Sequence, residues 1–181
     1  ILVRYLKQLS ATPSPGIDST TLNFATVITD EVSAEDRQDF LEVLSYRIEI
    51  HNRQGANRET RGYRSLAAKE GALAFREWSL AVWELKGPAS GWPAQLEAHY
   101  RRNPVFALVS GLSYRPWAPI HAFCEARQLP CILPLADLPQ LESSGGYTLY
   151  FFKGPFQEGE AAAAFLSGQG EASTRLPVLQ V

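Results

Sequence analysis

The stretch VFALVSGLSYRPW, Val105 to Trp117, sets an uncharged apolar run directly against small and hydroxyl-bearing residues. Gly111 permits a tight backbone turn. Ser113 carries a hydroxyl that can cap a following helix, and the free N–H groups of a helix start can receive an anion such as a carboxylate. That is binding chemistry. A nucleophile elbow would need G-x-S-x-G, and Arg115 stands where its second glycine belongs. The acids that fall at the ends of apolar runs are Asp30, Glu84 and Asp137, and no histidine joins them. His51, His99 and His121 are scattered, the last two beside aromatic residues at helical spacing, which suits packing better than metal binding. No His, Cys or Asp spacing resembles a zinc or iron site. CxxCH is absent, so no covalently attached c-type haem belongs to this chain, and no CxxC pair supports a zinc ribbon. Cys124 and Cys131 flank a helix-to-strand return, and we read them as two buried thiols rather than a disulfide.

The elements that must position these residues follow from periodicity. TLNFATVIT, WSLAVWEL, VFALVS, PCILPL and YTLYFF read as strands. RLPVLQV reads as a last one. Between them lie helical patterns. Ser33 with Asp36 marks a capped helix that runs to about Asn52, with Phe40, Leu44 and Ile48 on one face. Leu66 to Phe75 is alanine-rich and helical in pattern. Trp92, Leu96, His99 and Tyr100 form a second face. Trp117, Ile120, His121 and Cys124 form a third, with Pro116 and Pro119 in its first turn. Glu158 to Leu166 forms a short helix. The polar, arginine-rich stretch after Asn52, holding Arg53, Arg58, Arg61 and Arg64, reads as a solvated loop. GQGEAS, Gly168 to Ser173, follows a helix rather than a strand and reads as a loop, not a dinucleotide fingerprint.

The strands are near-continuous apolar runs, and they alternate with helices. This predicts a doubly wound α/β domain with a mostly parallel, five-stranded sheet in order 2-1-3-4-5 and helices on both faces. Ligands of such sheets sit beyond the carboxyl ends of the strands, at the topological switch point. Those ends are Thr29-Asp30, Glu84 to Gly87, Ser110 to Tyr114, and Pro134 to Asp137.

The chain has 181 residues with 45% hydrophobic content, enough for one well-buried domain. A net charge of −2 gives no electrostatic case for a nucleic-acid partner. No stretch is long and apolar enough to span a membrane. ILVRYLKQLS has the apolar stripe of a helix interior, with Ile1, Leu2, Tyr5, Leu6 and Leu9 on one side, and no methionine opens it. We therefore expect a piece of a longer protein. ATPSPGIDST reads as a linker, which places domain boundaries at residues 1–10, 11–20 and 21–181.

Two resemblances extend this reading. The runs NPVFALVSGLSYRPWAPIHAFCEARQLPCILPLADLP and YTLYFFKGPFQEGEAAAAFL resemble the amino-terminal lobe of type I periplasmic solute-binding proteins of branched-chain amino acid transporters. The likeness covers roughly Thr21 to Leu166, with Leu176 to Val181 similar to the first strand crossing into a second lobe. In that family the turn after the third strand and the loop after the fourth hold the ligand's amino-acid moiety. The resemblance implies Ser113 and Tyr114, beside Gly111, and then Ala136 and Asp137, where the family often carries Ser or Thr. LVRYLKQLSATPSPG is similar to the last helix and exit of class I c-type cytochromes. Together they imply a periplasmic solute-binding or sensing module, not an enzyme, for an amino or organic acid. It would lie beside an upstream cytochrome c domain or other redox partner, and any haem c would belong to that domain. A docking domain that has lost its ligand is the alternative, and an α/β enzyme the third.

Overall fold

The computed structural model describes residues 14–60, 75–140 and 146–168. The helix expected over Ile1–Ser10, nearly all of that expected over Leu66–Phe75, and the strand expected over Arg175–Val181 lie outside the described residues. The elements run β1 (Thr21–Thr29), α1 (Ala34–Thr60), β2 (Glu77–Leu85), a 3-10 turn (Ala89–Gly91), α2 (Trp92–Arg102), β3 (Ala107–Val109) and β4 (Leu112–Ser113). They continue with α3 (Ala118–Arg127), β5 (Cys131–Ile132), β6 (Leu135–Ala136), β7 (Thr148–Leu149) and α4 (Pro155–Gly168).

Every pairing between these strands is parallel. β1 pairs along its whole length with β2, from Thr21↔Glu77 to Thr29↔Leu85. On its other side it pairs first with β3 and then with β4. β3 and β4 are thus two halves of one path, broken at Ser110 and Gly111, where φ is +54° and +118°. β5 and β6 form the next path, broken at Leu133, where φ is +55°. β7 pairs with β5. Counted as paths, the order is 2-1-3-4-5, as the sequence led us to expect. The two breaks lie side by side: Ser110 N–H donates to the Ile132 carbonyl at 2.7 Å, and Leu135 N–H to the Gly111 carbonyl at 2.9 Å.

Alternate residues of the central strands serve two layers. Ala25, Val27, Trp83, Leu85, Leu108 and Cys131 face α2 and α3, which contribute Trp92, Leu96, Ile120 and Cys124 to the same core. Trp83, Trp92 and Trp117 are among the largest fully buried side chains. A buried aromatic ring removes roughly 200 Å² from water, an upper-bound stabilisation of about 5 kcal/mol each. On the opposite face Phe24, Thr26 and Ile28 are buried. There the Phe24 ring meets the edge of Trp78 at 5.5 Å, and His51 of α1 stacks on Trp78 at 3.8 Å. His99 stacks on Trp83, and His121 shares a hydrogen bond of 3.0 Å with the Tyr150 hydroxyl. The histidines are thus engaged in aromatic packing.

Local chemistry explains where the helices begin and stop. Ser33 Oγ accepts the Asp36 N–H at 3.1 Å and donates back to the Asp36 carboxylate, a reciprocal cap in which Asp takes the usual place of Glu. α1 then continues to Thr60, through the stretch we expected to be loop. The correction has a tertiary cause: the Phe75 ring lies against Gly55, and the Asn52 side chain bonds both N–H and C=O of Trp78. These contacts hold the helix where its own apolar periodicity fades. α3 ends on Gln128 in the left-handed conformation, with Pro130 beyond it. Cys124 and Cys131 are buried free thiols, and the Cys131 thiol together with burial pushes the Cys124 thiol up, keeping it protonated. Ser14 to Thr20 packs on the sheet: Gly16 sits against the Val105–Phe106 backbone, and its carbonyl accepts the Asn23 N–H at 2.7 Å.

Candidate functional site

The break at Ser110–Gly111 changes what the SGLSY stretch does. Gly111 is a bulge within the strand path, not the turn that ends it, and the strand resumes through Ser113. The helix cap expected of Ser113 is therefore absent. α3 starts at Ala118, its N-cap residue is Trp117, and no side chain caps it. Ser113 Oγ instead accepts the Arg115 N–H at 3.1 Å, a turn two residues long at the strand tip.

The fully buried Ser113 hydroxyl also donates to Glu31 Oε1 at 3.2 Å. The same oxygen accepts the Tyr114 N–H at 3.1 Å and the Thr29 hydroxyl at 2.6 Å. Three donors, two of them on buried side chains, thus converge on one carboxylate oxygen. Glu31 enters from the turn between β1 and α1, so the carboxylate lies between the tips of β1 and β4. In this topology that is the switch point, because α1 crosses from β1 to β2 on one side and the chain later returns to β1 on the other.

Arg115 ties this seat to the next tip. Its Nε lies 3.3 Å from Glu31 Oε2, and its Nη2 3.5 Å from Asp30 Oδ1. Its Nη1 donates to the Gly87 carbonyl at 3.0 Å, and Gly87 N–H donates to Asp30 Oδ2 at 2.7 Å. Beside it, Arg37 of α1 pairs with Glu84 of β2. The tips of β1, β2 and β4 are laced by alternating charges.

Of the residues singled out from the sequence, Ser113 and Tyr114 meet at this seat. Tyr114 is half exposed. Partial desolvation, a hydrogen bond with Asp36 and the charges of Asp137 and Glu31 hold its phenol above the ordinary range. Asp137 is exposed and borders a cleft of about 620 Å³ with Phe152, Gly154, Gln157 and Glu158. Ala136 is buried in the core, so its side chain has no access to the rim. Gly111 lies beneath the seat, against Trp117. Glu31 and Arg115 were not among the expected site residues. The available signal was faint: an acid pair directly after a strand, and one arginine at a rim of acids.

The rim also predicts an acid response. The Gly87 N–H holds the Asp30 carboxyl below the usual range, with Arg115 assisting, and Arg37 does the same for Glu84. Folded values below unfolded ones contribute stability that is present above the ordinary carboxylate range and lost as pH falls through the lowered values. The melting temperature should be flat from neutrality down to about pH 5 and fall below about pH 4. A melting series across that range checks it, and Asp30→Asn should flatten the fall. An unchanged slope in that variant would refute the assignment.

No family model, curated protein or solved structure matches this chain.

Proposed function

We propose that this chain is a solute-binding or sensing lobe of the type I periplasmic kind, acting in the periplasm beside a c-type cytochrome domain or another redox partner, and that it binds rather than catalyses. The observation that supports the reading is the seat itself: a hydroxyl and a backbone N–H of the β4 tip converge on a carboxylate at the switch point. A carboxylate-bearing solute, an amino or organic acid, carries the group such a seat accepts. His51, His99 and His121 are each engaged in the aromatic packing described above, and the His99 ring also meets the Glu84 carbonyl at 3.3 Å near the β2 tip. Binding is therefore the simpler use of these groups.

A single lobe supplies one wall of the site. Affinity depends on desolvated, preorganised contacts, and an open shelf offers few. Free amino acids should bind in the millimolar range at best, about −4 kcal/mol. The measurement is titration of the chain with a panel of amino and organic acids, followed by calorimetry and by amide chemical shifts. Shifts centred on Ser113 to Arg115 and Asp137 are expected. Shifts confined elsewhere, or none with any acid of the panel, would overturn the reading.

A second reading has its own observation. Ile132 and Leu149, neighbours across β5 and β7, are exposed together with Phe151. Such a patch favours a docking domain whose partner is a protein.

A further inference from the structure

The donors that would receive a ligand's carboxylate are already engaged by the chain's own. We propose that Glu31 is an internal ligand: it fills the carboxylate seat of Thr29, Ser113 and Tyr114, and an external carboxylate binds only by displacing it. This inference rests on the rim being the ligand seat.

The geometry supports competition rather than a second, independent site. Glu31 Oε1 uses all three convergent donors, at 2.6, 3.1 and 3.2 Å. Thr29 and Ser113 are 2% and 0% exposed, and each hydroxyl has one further acceptor within reach, the Leu112 carbonyl at 3.4 Å and the Arg115 carbonyl at 3.3 Å. The Thr29 hydroxyl makes its shorter contact to the carboxylate, 2.6 Å against 3.4 Å to the carbonyl, so the filled seat is the better-bonded arrangement, whether Glu31 or an incoming anion fills it. Glu31 reaches it from a turn, not from within a strand or helix, so it can withdraw by local rearrangement of Asp30 to Ser33. Its second oxygen makes no hydrogen bond among the described residues and is held only by the ion pair with Arg115. The side chain is thus fixed at one oxygen and by charge at the other.

Two consequences follow. A tethered competitor lowers the apparent affinity for an external ligand by the fraction of time the seat stands open. If Glu31 occupies the seat more than about nine-tenths of the time, removing it should tighten binding tenfold or more. Displacement also takes one partner from the Arg115 guanidinium, which stays tied to Asp30 and Gly87 and bridges the tips of β1, β2 and β4. Ligand entry would then be reported at Asp30 and Gly87, at the adjoining strand tips.

The test uses acetate as the probe, with the wild-type chain, Glu31→Ala, Glu31→Gln and Glu31→Asp. Glu31→Ala vacates the seat; acetate should bind it at least about tenfold more tightly than wild type, shift the Tyr114 amide and raise the melting temperature more. Glu31→Gln keeps an acceptor in place and should stay near wild type. Glu31→Asp shortens the reach by one methylene and should fall between, and it serves if the alanine variant does not fold. Equal acetate response in wild type, Glu31→Ala and Glu31→Asp would overturn the proposal, as would an equal gain in Glu31→Gln. The outcomes separate the two readings. Acetate binding to Glu31→Ala with no response of wild type to the acid panel upholds the internal ligand and sinks solute binding. Wild-type binding of the panel with no gain on Glu31→Ala does the reverse.

Discussion

Trp117→Ala is expected to lower stability by about 3–5 kcal/mol. The indole is fully buried, belongs to the main core, and lies against Gly111 at the point where β3 gives way to β4. Truncation loses the transfer free energy of the ring and leaves a cavity beneath the bulge, which cannot collapse without moving the strand tip. Most single domains are stable by only about 5–15 kcal/mol, so a large share of the folded population is at stake. One effect opposes the loss. The indole N–H is buried with no hydrogen-bond partner among the described residues, and removing it relieves a cost of about 1–3 kcal/mol. The net should therefore lie towards the lower end. Trp117→Phe removes the same N–H but keeps a ring, and should cost less than about 1.5 kcal/mol. Urea denaturation midpoints of the two variants check both. An alanine variant within 1 kcal/mol of wild type, against the expected ~3, would show that the ring does not hold the bulge.

Gly111→Ala is expected to be nearly as damaging, at about 2–4 kcal/mol, for a different reason. At φ +118° an L side chain is strained whatever space surrounds it. Space is also lacking. A Cβ on Gly111 would lie 2.5 Å from Trp117 Cη2, 3.2 Å from Cζ2 and 3.3 Å from the Val27 carbonyl oxygen. The indole is hemmed in by the core and the Val27 carbonyl by its own sheet, so neither can give without shifting an element. The strain and clash parts can be separated. Trp117→Phe takes away the far end of the indole that meets the new Cβ, so the double variant should cost less than the sum of the singles. What remains should be the backbone strain of about 1–2 kcal/mol. Strict additivity would locate the damage in the backbone alone. The Tyr114 amide should also shift in Gly111→Ala, because the bulge sets where the β4 tip points.

The parts of this protein that were legible in the sequence are those set by local periodicity and side-chain type. Unbroken apolar runs alternating with helical stripes identify a covered parallel sheet, because only a strand buried on both faces tolerates apolar residues at every position. Trp92 with Leu96, and Trp117 with Ile120, His121 and Cys124, mark the faces that α2 and α3 bury, and the structure buries them. The Ser33–Asp36 cap is likewise readable, since both partners lie within one turn. The tertiary structure decided what depends on residues far apart in the chain. A glycine at a strand end and a glycine in a mid-strand bulge are the same letter; pairing of Ile28 with Leu112 beyond the break tells them apart. That placement moves Ser113 from a helix cap to a strand tip. The sheet then brings Glu31 and Arg115 together across some eighty residues, with Glu31 82 positions from the Ser113 hydroxyl it accepts. Charge partners at that separation leave no periodicity behind, so the seat exists in the sequence only as scattered letters and becomes a carboxylate site only when β1 and β4 lie side by side.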